Sequence, residues 1–140
     1  MDIHQIYSKP LNQGGSGVYS GSKFQNGGLV VYSGSRIQNG GLIFDKIIPK
    51  IKDEFDLVFI DADKENYSNY FKIVIEKMPI GGFIIADNVL WSGKVVEEVN
   101  DKDQETKALK EFNTLIHTSE RVENILMPIR DGLMICQKIK

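Results

Sequence analysis

Two stretches constrain the fold more than anything else in the chain. DLVFIDADK (56–64) and FIIADNVLW (83–91) each carry four apolar residues, Leu57 to Ile60 and Phe83 to Ala86, straight into acids and amides. A short apolar run without alternation is the pattern of a strand covered on both faces, as in a parallel sheet. Between the two runs, Tyr67, Tyr70, Phe71, Val74, Ile75 and Met78 recur at helical spacing. Gly81-Gly82 then ends the helix, so the segment reads strand, amphipathic helix, strand.

Farther along, an acidic polar loop from Glu97 to Asp103 leads to a helix carrying Ala108, Leu109, Phe112, Leu115 and Ile116. Asp101 with Gln104 is its expected capping box. Two strands near Val122–Met127 and Leu133–Lys138 flank Arg130-Asp131-Gly132, a hairpin signal. The order β-α-β-α-β-β predicts an α/β fold: a Rossmann-like, mostly parallel open sheet with an antiparallel C-terminal hairpin. Ahead of it, Ile43, Phe44, Ile47, Ile48 and Ile51 suggest a short helix limited by Pro49.

The first part of the chain is unlike the rest. Residues 1–44 hold nine of the 13 glycines and a single acid, Asp2. VYSGSKFQNGGLV (18–30) is followed directly by VYSGSRIQNGGLI (31–43), a near-repeat of β-prone stretches with Ser-Gly and Asn-Gly-Gly turn signals. The expected division is therefore a Gly/Ser/Asn-rich repeat segment at 1–42, hairpin-like or mobile, and an α/β domain at 43–140. Gly14-Gly15-Ser16-Gly17 reads as a flexible turn, because no apolar strand precedes it.

Bulk properties exclude several classes. A length of 140 residues suits one domain. A net charge of −2 and a pI near 5.7 give no reason to expect electrostatic capture of nucleic acid, although a short basic patch is compatible with them. No apolar run approaches the ~20 residues that span a bilayer, so no membrane partner is expected. The single Cys136 has no internal disulfide partner, in keeping with a reducing cytoplasm.

In open α/β sheets, ligands bind beyond the carboxyl ends of the strands. That rule gathers Asp61, Ala62, Asp63 and Lys64 at one strand mouth and Asp87, Asn88 and Trp91 at the next. Two carboxylates and a carboxamide are hard oxygen donors, suited to Mg²⁺, Mn²⁺ or Ca²⁺ more than to zinc. A plainer reading stands beside this one. Acids are common at strand ends, Asp87-Asn88 can cap a turn, Lys64 can be a solvated charge and Trp91 a partly buried anchor. Spacing alone leaves both open.

The longer blocks FDLVFIDADKENY (55–67), GGFIIADNVLWSG (81–93) and LMPIRDGLMICQKI (126–139) resemble the cation-dependent O-methyltransferases that use S-adenosylmethionine, the family of the caffeoyl-CoA and catechol O-methyltransferases. The resemblance runs from about Gly41 to the end of the chain. It implies that Asp61, Asp87 and Asn88 ligate a divalent cation, Mg²⁺ first among the candidates, and that Lys64 is the general base. It further implies that the backbone at Asp61-Ala62 walls the cofactor and that Asp63 and Trp91 lie beside the acceptor. The acceptor implied is a small catechol-like phenol. Methylation of 5-hydroxyuridine in tRNA is the alternative, against which the acid-rich loop at 97–105 argues.

Two departures stand out. Arg130 occupies a place where many relatives have a small residue. More importantly, three β-α units should precede the Asp61 strand, and these need on the order of a hundred residues. Only about 42 are present before the matching region, with no acid between Asp2 and Asp45 to hold a cofactor ribose. Three readings follow. The chain is a methyltransferase with its cation corner intact. It is a truncated or recombined, inactive domain that still binds a cation, with the repeat folded onto the bare edge of the Leu57–Ile60 strand. Or it is a module that forms a homodimer or other assembly through that edge.

Overall fold

The structure, a computed structural model, describes residues 17–21, 28–32 and 54–140. Of the Gly14-Gly15-Ser16-Gly17 stretch read as a flexible turn, only Gly17 is among them, as the first residue of a strand, and the helical pattern at 43–51 lies outside them. Among the described residues, six strands form one sheet: β1 (Gly17–Gly21), β2 (Gly28–Tyr32), β3 (Leu57–Asp61), β4 (Phe83–Asp87), β5 (Val122–Met127) and β6 (Leu133–Lys138). Their spatial order is β1-β2-β3-β4-β6-β5. β2, β3 and β4 are parallel neighbours, whereas β1 runs against β2, β6 against β4, and β5 against β6. The strands and helices from residue 54 onward thus follow the order read from the sequence, with the antiparallel hairpin at one edge. The edge of β3 carries β2, in register from Gly28 opposite Leu57 to Tyr32 opposite Asp61.

Two α-helices sit among the described residues, α1 (Tyr67–Glu76) and α2 (Gln104–Thr118). A 3₁₀ turn, Lys64–Asn66, precedes α1, and a kinked pair of short turns, Trp91–Val96, broken by left-handed backbone at Ser92 and Gly93, precedes α2. Tyr67, Tyr70, Phe71, Val74 and Ile75 of α1 and Leu109, Phe112 and Ile116 of α2 bury their stripes in one cluster. The sheet contributes Val58, Ile60, Ile84, Ala86, Val122, Met134 and Cys136 to the same cluster. Each fully buried aliphatic or aromatic side chain there contributes about 1.5–3 kcal/mol. None of the helices among the described residues is long and apolar enough to cross a membrane.

Burial alternates along β3 and β4, with Val58, Ile60, Ile84 and Ala86 on the more deeply buried side. Leu57, Phe59 and Ile85 are only half-buried and Phe83 is 40% exposed. Both described helices pack on the Val58–Ile60 side, and an apolar run cannot by itself say how many faces are covered.

One correction concerns the start of α2. The cap is Asp103, whose carboxylate accepts the Thr106 N–H at 3.1 Å. Asp101 instead accepts from Lys107 Nζ at 3.0 Å, and its carbonyl accepts from Gln104 Nε2 at 2.9 Å. A turn closed by Asp103 N–H on the Asn100 carbonyl at 3.0 Å sets Asp101 too early to reach the first free helix amides.

Candidate active site

The site is built by register. Ile60 pairs with Ala86 across the parallel ladder, so the next residues, Asp61 and Asp87, stand side by side where the strands end. The Asp61 side chain is half exposed. Asp87 keeps one carboxylate oxygen on the Asn88 N–H at 2.7 Å. Asn88 takes a left-handed backbone (φ 60°), a conformation that asparagine tolerates better than most residues. There its carboxamide oxygen accepts a hydrogen bond from Lys64 Nζ at 3.1 Å.

Lys64 belongs to the 3₁₀ turn after β3 and is only 5% exposed, unusual for a lysine. Its amine donates to the Tyr67 hydroxyl and to Asn88, and lies 3.5 Å from the Asp87 carbonyl and 3.8 Å from the Asp61 carboxylate. Burial pushes its pKa below the ordinary lysine value, while the charges of Asp61 and Asp87 push back. The Tyr67 hydroxyl in turn donates to the Asp87 carbonyl at 2.9 Å. Burial drives the pKa of that hydroxyl upward, so it stays neutral.

The remaining candidates fall around this centre. Ala62, next to Asp61, is buried. Asp63 is engaged within the start of its own helix, accepting from Asn66 Nδ2 and from the Tyr70 hydroxyl. Trp91, half-buried and also left-handed (φ 50°), lays its ring 5.7 Å from Lys64 Nζ and 5.9 Å from Lys94 Nζ. Asp61, Asp87, Asn88, Lys64 and Trp91 therefore converge, and Asp63 is turned toward α1.

Three residues around the site escaped the sequence reading. Tyr67 bonds Lys64; Asn113 donates to the Val89 carbonyl at 2.9 Å; Asp131 accepts the Ser92 N–H with its side chain and the Leu90 N–H with its carbonyl. Together Asn113 and Asp131 hold the loop that follows Asp87. Tyr67 carried a usable signal, three positions after Lys64 and so above it on consecutive turns. In the sequence Asp131 reads only as a turn residue.

Among the described residues no three His, Cys, Asp or Glu side chains gather as a metal cluster. The candidate donors are two carboxylates and a carboxamide oxygen, all hard, with Asp61 open to solvent. That chemistry fits a hard divalent cation that keeps several waters. A groove of about 380 Å³ lined by Leu57, Ile80 and Phe83 lies at the opposite ends of the same strands, away from these donors.

A mixed α/β sheet with its polar cluster at the carboxyl ends of adjacent parallel strands defines a Rossmann-like class of ligand-binding domain. The O-methyltransferase family model matches residues 36–139, and the chain belongs to that family. It is 37% identical over 100 residues to the caffeoyl-CoA O-methyltransferase of Medicago sativa, covering 64% of this chain and 40% of that protein. It is 36% identical over 104 residues to the corresponding enzyme of Eucalyptus gunnii, covering 70% and 42%. Among solved structures, it is similar to the O-methyltransferase from Bacillus cereus in complex with SAH, at 29% identity and a TM-score of 0.62, covering 70% of this chain and 47% of that one. The SAH-bound methyltransferase PaMTH1 of Podospora anserina matches at 25% identity and a TM-score of 0.59, covering 69% and 46%. The chain spans about 40% of the length of these curated relatives.

Proposed function

We propose that Asp61, Asp87 and Asn88 hold a divalent cation, Mg²⁺ by preference, in a site for methyl transfer from S-adenosylmethionine to a hydroxyl of a catechol-like acceptor. The observation that carries this reading is the convergence of those three oxygen donors with the buried Lys64 at the ends of β3 and β4. A bound cation would lower the pKa of a chelated hydroxyl and fix the orientation of a vicinal diol.

The chain's own residues do the rest. Lys64 Nζ, whose burial favours the neutral amine, receives the hydroxyl proton at the position where it now faces Asn88. Trp91 offers a flat apolar face over Lys64, against which an aromatic acceptor would rest. The backbone at Asp61-Ala62 borders the methyl donor. Holding acceptor oxygen and methyl carbon at near-attack distance is the main contribution asked of the site.

Calorimetric titration with catechol, with and without Mg²⁺, tests the reading, followed by transfer of labelled methyl from S-adenosylmethionine. The expected result is Mg²⁺-dependent catechol binding and methylation, both lost in D61A and D87A. A folded chain that binds neither Mg²⁺ nor catechol would end this proposal.

A further inference from the structure

Tyr67 joins the core to the site. Its ring is fully buried, edge-on to Phe112 with centroids 5.4 Å apart. Its hydroxyl is bonded twice, donating to the Asp87 carbonyl at 2.9 Å and accepting from Lys64 Nζ. A tyrosine that only filled the core would need one partner for its hydroxyl, and the Asp87 carbonyl already supplies that. The bond to Lys64 requires more, since the lysine gives up side-chain freedom and hydration to sit there. Phenylalanine at this position would keep the ring packing. It would leave the amine with the Asn88 oxygen and the longer approaches to Asp87 and Asp61.

We propose that Tyr67 is a positioning residue for Lys64. Its hydroxyl, pinned to the end of β4, fixes the amine against Asn88, 3.5 Å from the Asp87 carbonyl and 3.8 Å from the Asp61 carboxylate, so that the nitrogen faces the acceptor site. This deepens the reading of Lys64 as proton acceptor and rests on it. The ring packs edge-on against Phe112 of α2, while the hold on the amine comes from the hydroxyl and from the β4 carbonyl it is bonded to. One side chain therefore ties together a helix, a strand end and the 3₁₀ turn.

Acylation of lysines in the full chain by limiting acetic anhydride, read peptide by peptide, reports how free each amine is. Loss of a hydrogen bond to a charged group is expected to raise the Lys64 rate in Y67F roughly tenfold relative to the exposed Lys102, with the fold retained. F112L, which loosens the ring but spares the hydroxyl, is expected to lower the melting temperature while leaving the Lys64 rate nearly unchanged. An unchanged rate in folded Y67F overturns the proposal, and so does an equal rise in F112L. Should Y67F not fold, proton NMR of the unaltered chain decides. A slowly exchanging Tyr67 hydroxyl proton with a cross-peak to the Lys64 ε-methylene supports the positioning role, and its absence overturns it. Mg²⁺ titration followed by fluorescence of Trp91, the single tryptophan, separates the two levels. No response in the unaltered chain defeats the proposed function and the role of Tyr67 with it. A response together with an unchanged Lys64 rate in Y67F defeats the positioning role alone.

Discussion

Lys64 Nζ lies 3.1 Å from the carboxamide oxygen of Asn88, a contact between the ends of two different strands. Both residues are thereby committed to one point, and the lysine is buried to reach it. K64M exchanges the buried amine for apolar volume but takes the donor away from Tyr67 and Asn88, while Asp61 stays open to solvent, so the fold should be retained with a modest loss of stability. Methyl transfer should fall by at least about 100-fold, the smaller end of what a general base contributes. Thermal denaturation beside a labelled-methyl assay checks both halves. A variant that melts far lower but still turns over would make Lys64 a structural residue.

Gly132 is the next sensitive point. It sits at φ 83°, and an added Cβ would come within 2.5 Å of Leu90 Cγ. Its carbonyl accepts the Val89 N–H at 3.2 Å, so strain here passes to the loop beside Asn88. G132A should destabilise by about 1–3 kcal/mol through backbone strain and the clash. Urea unfolding measures it, and an unshifted midpoint would count against this geometry.

Cys136 gives a pH signature. Burial pushes its thiol up to about 12 from an ordinary 9.0. The unfolded chain therefore sheds this proton near pH 9 while the folded chain keeps it, and stability from this group falls as pH rises across that window. C136A should flatten that part of the stability profile. Iodoacetamide at pH 8 should label the native thiol far more slowly than the urea-unfolded one; equal rates would mean that the strand is open.

The cap of α2 offers a comparison between neighbours. D103A removes the acceptor for the Thr106 amide and should lower the melting temperature. D101A loses an exposed contact to Lys107 and should leave it unchanged. The reverse order would return the capping role to Asp101.

Much of this was legible in the sequence because it rests on period and order. The spacing of Tyr67 to Ile75 marked α1, and the two apolar runs marked β3 and β4 with their polar mouths. The helix stops at Glu76, however, ahead of Pro79 and short of both Met78 and the Gly81-Gly82 pair expected to end it. The rule for strand ends brought Asp61, Asp87 and Asn88 together, but it left Lys64 as readily a solvated charge, and only the structure shows it buried. What escaped depends on contacts without a period. An aromatic at a helical core position looks like packing whether or not its hydroxyl holds a lysine, as at Tyr67. Asp101 and Asp103 are both adequate caps, and only the turn at Asn100 chooses between them. A run such as Leu57 to Ile60 reads the same with one face covered or two.

The pairing of Ile60 with Ala86 has a consequence for how chains of this kind can vary in length. Side chains alternate across a sheet, so one residue inserted within β4 would bring Ala86 to the mouth and turn Asp87 toward the helices. An insertion in the Pro79–Gly82 connection shifts no partner in the ladder. Length changes should therefore collect in the connections, while the two strands keep their count even where their apolar residues are exchanged. The polar corner is maintained by counting along the backbone, whatever hydrophobic side chains lie beneath it.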